Sequence, residues 1–104
     1  MEKQDVLAAL AALAQETRLD VFRRLVQAGS SGLPAGELAS ELSISPATLS
    51  FHLKELRNAR LLTSERQGRS IRYAPDFSVI GALVGYLGEN CCRDQSCGPS
   101  AETE

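Results

Sequence analysis

Tryptophan is missing from this 104-residue chain, histidine and methionine occur once each, and the first ninety positions hold no cysteine. No apolar run approaches the roughly 18 residues needed to span a bilayer, so no transmembrane helix is expected. The start, Met1-Glu2-Lys3-Gln4-Asp5, is charged and lacks the basic opening and apolar core of a secretory signal. Three cysteines, an odd number, argue against a secreted disulfide framework. Together these absences point to a cytoplasmic protein. There is also no Ser-His-Asp grouping, phosphate loop or carboxylate dyad, so no enzyme is expected.

What cysteine there is stands in one place: Cys91, Cys92 and Cys97. Thiolates are soft ligands and disfavour magnesium or calcium. Structural zinc normally takes four protein ligands, and catalytic zinc normally includes histidine or a carboxylate. A trivalent metalloid, As(III) or Sb(III), takes three sulfurs in a pyramid, which fits a cluster of three thiols with no imidazole nearby. The alternative is thiol redox or persulfide chemistry, open to exposed paired thiols.

Net charge is −2, unpromising for a nucleic-acid binder until its distribution is followed. The stretch from His52 to Arg72 carries six basic and two acidic residues, a local net of +4, while the remainder carries −6. A local basic face that displaces counterions, not the average, governs DNA affinity.

At this length one domain is expected, with a core thin enough that dimerisation would help it. Residues 4–14 are alanine- and leucine-rich and apolar on most faces, suited to burial against a partner. Residues 17–28 have helical period, with Leu19, Phe22, Leu25 and Val26 on one side. After the Gly29–Gly32 break, Leu38 and Leu42 mark a short helix over about 35–42. Ser45 can cap the next helix and Pro46 fits its first position. That helix, to about Ala59, buries Leu49, Leu53 and Leu56, and the pair forms a helix-turn-helix. Two extended runs, Leu61–Arg66 and Ser70–Ala74, flank Gly68, which supplies the positive φ of a tight hairpin. A last helix over about Phe77–Asn90 carries Val79, Ile80, Leu83, Val84 and Leu87. The expected class is mainly α with a small β-hairpin wing. Residues 1–90 form the DNA-binding and dimerisation domain, and 91–104 a cysteine-bearing tail.

Three stretches in this order resemble the ArsR/SmtB family of metal-responsive repressors. Leu13–Leu19 is similar to its L-x-x-x-T-R-L entry, Ser50–Leu56 to its S-x-H-L-x-x-L recognition helix, and Arg66–Tyr73 to its R-x-G-R-x-x-x-Y wing. The resemblance implies a homodimer joined through first and last helices, bound to double-stranded operator DNA. Two of the family's metal sites have no counterpart: Gly36–Ser40 lacks a thiol pair, and Asp76 lacks histidine partners. Glu89-Asn90-Cys91-Cys92 resembles a subgroup whose arsenic cysteines sit at the end of the last helix.

The DNA-reading candidates are Ala47, Thr48, Ser50, Phe51, His52 and Lys54 in the second helix, with Arg69 and Arg72 in the wing. Small and hydroxyl side chains admit a helix to the major groove, and aromatic or methyl groups touch thymine methyls. His52 could equally pack between helices. Arg69 and Arg72 suit phosphate or minor-groove contact better than internal pairing. The expected function is a repressor released by As(III) or Sb(III) at Cys91, Cys92 and Cys97. A redox- or persulfide-responsive repressor, a small thiol oxidoreductase and a winged helix used only for protein contacts are the rivals.

Overall fold

The alanine-rich opening folds as α1 (Lys3–Leu13), its start secured where the Asp5 carboxylate accepts from the Glu2 N–H at 3.2 Å. The computed structural model describes residues 1–95. α2 (Glu16–Ala28) begins after a short break, with the Gln15 side chain accepting from the Arg18 N–H at 2.8 Å. Its buried stripe is Val21, Phe22 and Leu25. Leu19 and Val26, expected on the inner side, lie beside that stripe and stay 41% and 37% exposed.

Next come β1 (Leu33–Pro34), α3 (Ala35–Leu42) and α4 (Pro46–Asn58). Ser45 caps α4: its hydroxyl oxygen accepts from the Thr48 N–H at 3.2 Å, with Pro46 at the first helical position. The expected cap chemistry is therefore present, because a proline without an N–H costs nothing where that donor has no helical partner. The wing follows as β2 (Leu62–Gln67) and β3 (Ser70–Pro75), antiparallel and paired from Leu62–Pro75 down to Gln67–Ser70. Gly68, at φ 63°, holds the first turn position, the pattern of a type II′ hairpin.

The sheet has a third strand that the sequence pattern did not reveal. β1 pairs antiparallel with β3, Leu33 opposite Tyr73, so β3 is central in the order β1-β3-β2. Gly32 makes this approach possible. A Cβ there would lie 2.1 Å from the Tyr73 carbonyl oxygen, and its φ is +69°.

The core collects Val21 and Leu25 of α2, Leu38 of α3, Leu49, Leu53 and Leu56 of α4, and Leu61, all fully buried. α5 (Phe77–Leu87) starts at Asp76, whose carboxylate accepts from the Ser78 and Val79 N–H groups. It ends at Gly88, short of the expected Asn90. Leu83 is the one buried residue of α5, while Val84 and Leu87 are 65% and 61% exposed. On α1, Leu7 and Leu10 are exposed likewise. No helix among the described residues is long and apolar enough to cross a membrane.

Candidate nucleic-acid interface and thiol site

α4 divides cleanly by face. Leu49, Leu53 and Leu56 point into the core, and Ala47, Thr48, Ser50, Phe51 and Lys54 are exposed. The Thr48 hydroxyl also accepts from the Ser45 hydroxyl at 2.9 Å, so it serves the helix cap as well as the outer face. Phe51 leaves 54% of its surface open on a helix otherwise covered by small and polar groups. An aromatic presented this way can meet thymine methyls in a major groove.

His52 is different. It is 7% exposed, and its Nδ1 accepts from Arg18 Nε at 3.4 Å. In this structure the packing alternative describes it: a step of about 100° from Phe51 turns His52 off the outer face. Burial, then the Arg18 charge, pushes the imidazole below its ordinary titration range. Arg18 was not among the sequence candidates, although it sits in the Leu13–Leu19 stretch; its role depends on a partner 34 residues away.

The two wing arginines part company. Arg69 is exposed at the hairpin tip. Arg72, expected to favour DNA over internal pairing, is fastened within the chain. Its Nη1 donates to the carbonyls of Gly32 at 2.9 Å and Ser31 at 3.3 Å, and its Nε to Gln67 Oε1 at 3.3 Å. The physical reason is the third strand: pairing of β1 with β3 brings the Ser31–Gly32 turn under the Arg72 side chain.

Lys54, Arg57, Arg60, Arg66 and Arg69 are all exposed. The ion pair found among the described residues, Arg24 Nε to Glu41 Oε1 at 2.6 Å, lies outside this basic stretch. That hydrogen bond raises Arg24 and lowers Glu41 from their ordinary values. Among the described residues, those five basic side chains enter no ion pair. Between α4 and β3 a polar groove of about 340 Å³ is lined by Ser50, Lys54, Arg57, Asn58 and Tyr73. Arg57 and Tyr73 line this groove from positions outside the candidate set.

Past α5 the backbone turns sharply, with Asn90 at φ 62° and Cys92 at φ 61°. Two adjacent cysteines in a helix would point about 100° apart; here the helix has ended and their sulfurs lie 3.3 Å apart. At bond lengths of about 2.3 Å, as in zinc thiolates, sulfurs sharing one ion sit roughly 3.3–3.8 Å apart. With Cys92 reduced, the pair would suit a thiophilic ion in donor type, and the 3.3 Å spacing lies within that range. Both cysteines are exposed, and Cys92 is disulfide-bonded, a state that ligation would require to be reduced. Cys97, the third expected sulfur, lies outside the described residues. Among those residues, no group of three histidine, cysteine or acidic side chains is assembled for a metal.

Residues 13–65 match a helix-turn-helix domain family. Transcriptional activator HlyU of Vibrio cholerae is 30% identical over 95 residues, covering 89% of this chain and 85% of HlyU. The structure of an ArsR-like transcriptional regulator from Rhodococcus sp. RHA1 superposes with TM-score 0.72 at 28% identity, over 81% of this chain and 76% of that one. Reduced HlyU from Vibrio cholerae does so with TM-score 0.67 at 28% identity, over 86% and 90%.

Proposed function

The chain belongs to the ArsR/SmtB family of winged helix-turn-helix transcriptional regulators, and from that premise we propose that it is a homodimeric repressor released from its operator by As(III) or Sb(III). As a family member it is a DNA-binding regulator and not an enzyme. The inducer would be held by Cys91, Cys92 and Cys97, where the metalloid contributes three-coordinate affinity for thiolate sulfur. The observation that carries this reading is the pair of adjacent cysteine sulfurs just beyond α5, 3.3 Å apart, in a chain with no cysteine before Cys91.

α1 and α5 leave Leu7, Leu10, Val84 and Leu87 exposed, and a second copy of the chain is the partner that covers them. A dimer holds its two reading helices at a fixed separation. Gathering the thiols would restructure the chain that leaves α5, and a small change at the interface would misalign both heads. A differential affinity of about 1–3 kcal/mol weakens operator binding roughly 5–150-fold, and operator DNA must weaken metalloid binding by the same factor.

The test is a gel shift with DNA upstream of the protein's own gene, with and without arsenite under reducing conditions. Arsenite should release the wild type, while the triple Cys→Ser variant at 91, 92 and 97 should bind and stay bound. Release of that variant would refute the site. HlyU is an activator, so the sign of regulation is part of the proposal; a reporter silenced rather than raised by deletion would reverse it.

The disulfide at Cys92 favours a second reading, a repressor switched by thiol oxidation. Its support includes the existence of a distinct reduced structure of HlyU. Release by a mild oxidant in metalloid-free buffer, reversed by thiols, selects it over the first.

A further inference from the structure

Arg18 stands at the start of α2, outside the helix that faces DNA, and yet its guanidinium meets three groups on two other helices. Its backbone N–H is taken by Gln15 Oε1, which fixes the first turn of α2 and the root of the side chain. Its Nη1 donates to the Ala12 carbonyl at 3.3 Å, near the end of α1. Its Nε donates to His52 Nδ1 at 3.4 Å inside α4. The guanidinium carbon lies 5.9 Å from the centre of the Phe51 ring. Phe51 and His52 are themselves edge to face, with centroids 5.5 Å apart and planes at 63°.

We infer that Arg18 is a positioning residue for base readout, setting the rotation of the α4 outer face, and of Phe51 on it, relative to α1. The inference rests on α4 being the DNA-reading helix. A planar, five-donor fork can serve a carbonyl, a ring nitrogen and an aromatic face at once, which a lysine ammonium cannot do with the same geometry. Because α1 also belongs to the proposed dimer interface, the same side chain ties the reading face to the dimer frame.

The full chain should be titrated against duplexes selected from a random library by the wild type, and against scrambled duplexes of equal length and composition. Melting is followed in parallel for each variant. Arg18→Lys keeps the charge and should keep scrambled-DNA affinity and its salt slope. Discrimination should fall roughly tenfold, the size expected for one hydrogen bond and one cation–π contact together. Phe51→Leu should lose discrimination at the same base pairs, and the double variant should be little worse than Phe51→Leu alone. Arg18→Gln, whose single amide nitrogen can donate to His52 but falls short of Ala12 and carries no charge over Phe51, provides a second variant should Arg18→Lys melt early. Its expected signature is intact stability with lost discrimination.

Wild-type discrimination by folded Arg18→Lys and Arg18→Gln, with Phe51→Leu impaired, would overturn the inference alone. Equal weakening on selected and scrambled DNA would reduce Arg18 to a general charge and overturn it too. If Phe51→Leu and Lys54→Ala both discriminated like the wild type, the premise about α4 would fall and take the inference with it.

Discussion

Burial and the neighbouring Arg18 cation both hold His52 neutral, which gives the folded chain a defined acid sensitivity. Unfolded, the imidazole titrates near its ordinary value of about 6.5; folded, it resists the proton. The unfolded state therefore binds more protons between those two values. The stability His52 contributes is complete above the unfolded value and is lost as pH falls through the folded one. Urea midpoints should drop between about pH 7.5 and about pH 5.5, and His52→Gln should flatten that interval; an unchanged slope would place the sensitivity elsewhere. Asp76 acts in the same direction further down. The Ser78 hydrogen bond holds its carboxyl below the usual range, so its share disappears only below an unfolded value of about 3.9. Backbone geometry offers a second test at this scale. Gly68 has positive φ and open space where a Cβ would go, so Gly68→Ala should cost about 1 kcal/mol. Gly32 has positive φ and a carbonyl 2.1 Å from that point, so Gly32→Ala should cost more, roughly 2–4 kcal/mol by denaturant titration.

Elements were legible wherever their signals are local. Ser45 and Pro46 announce α4 through chemistry confined to its first turn, and Ser45→Ala should cost about 1 kcal/mol in the same titration. The outer face of α4 followed from helical period, which placed Ala47, Ser50, Phe51 and Lys54 correctly on the exposed side. His52 escaped because what withdraws it is a residue on another helix. β1 escaped because two residues carry no period, and its pairing partner lies about forty positions on. The end of α5 was overrun because Gly81 and Gly85 sit inside the helix while Gly88 closes it, and composition alone does not separate them. For the wing, the missed strand changes what mutation should do. Arg69→Ala should lower the salt slope of DNA binding by about one, as expected for a lost phosphate contact. Arg72→Ala should chiefly cost stability, about 1 kcal/mol, by removing the donor from the Ser31 and Gly32 carbonyls. A wild-type slope for Arg69→Ala would mean that Arg69 touches no phosphate.

For the molecule as a whole, the unmatched faces of α1 and α5 make a sharper test than the core does. Leu83 is 7% exposed, so Leu83→Asp should unfold the chain by burying an unpaired charge. Val84 is 65% exposed, so Val84→Asp should leave a folded monomer in sedimentation where the proposed wild-type dimer stays paired. A Val84→Asp dimer would contradict the proposed interface. Two reading helices on one face of DNA should lie about one helical turn apart, roughly 34–36 Å, or a multiple of it. Inserting half a turn between half-sites should abolish tight binding. The proposed thiol site rests on composition, three sulfurs and no imidazole. The nearness of Cys91 to Cys92 was not legible there, since it depends on where α5 stops.

The exposed apolar side of α5 also bears on how much of the protein a cell must make. If a second copy covers it, folding and pairing form one equilibrium, and mass action stabilises the pair as its concentration rises. Scarce chains would be both less stable and less often paired, so occupancy of a promoter would climb more steeply than in proportion to the number of copies. Melting temperature should then rise with dilution reversed, from nanomolar upward, in the wild type and stay flat in Val84→Asp.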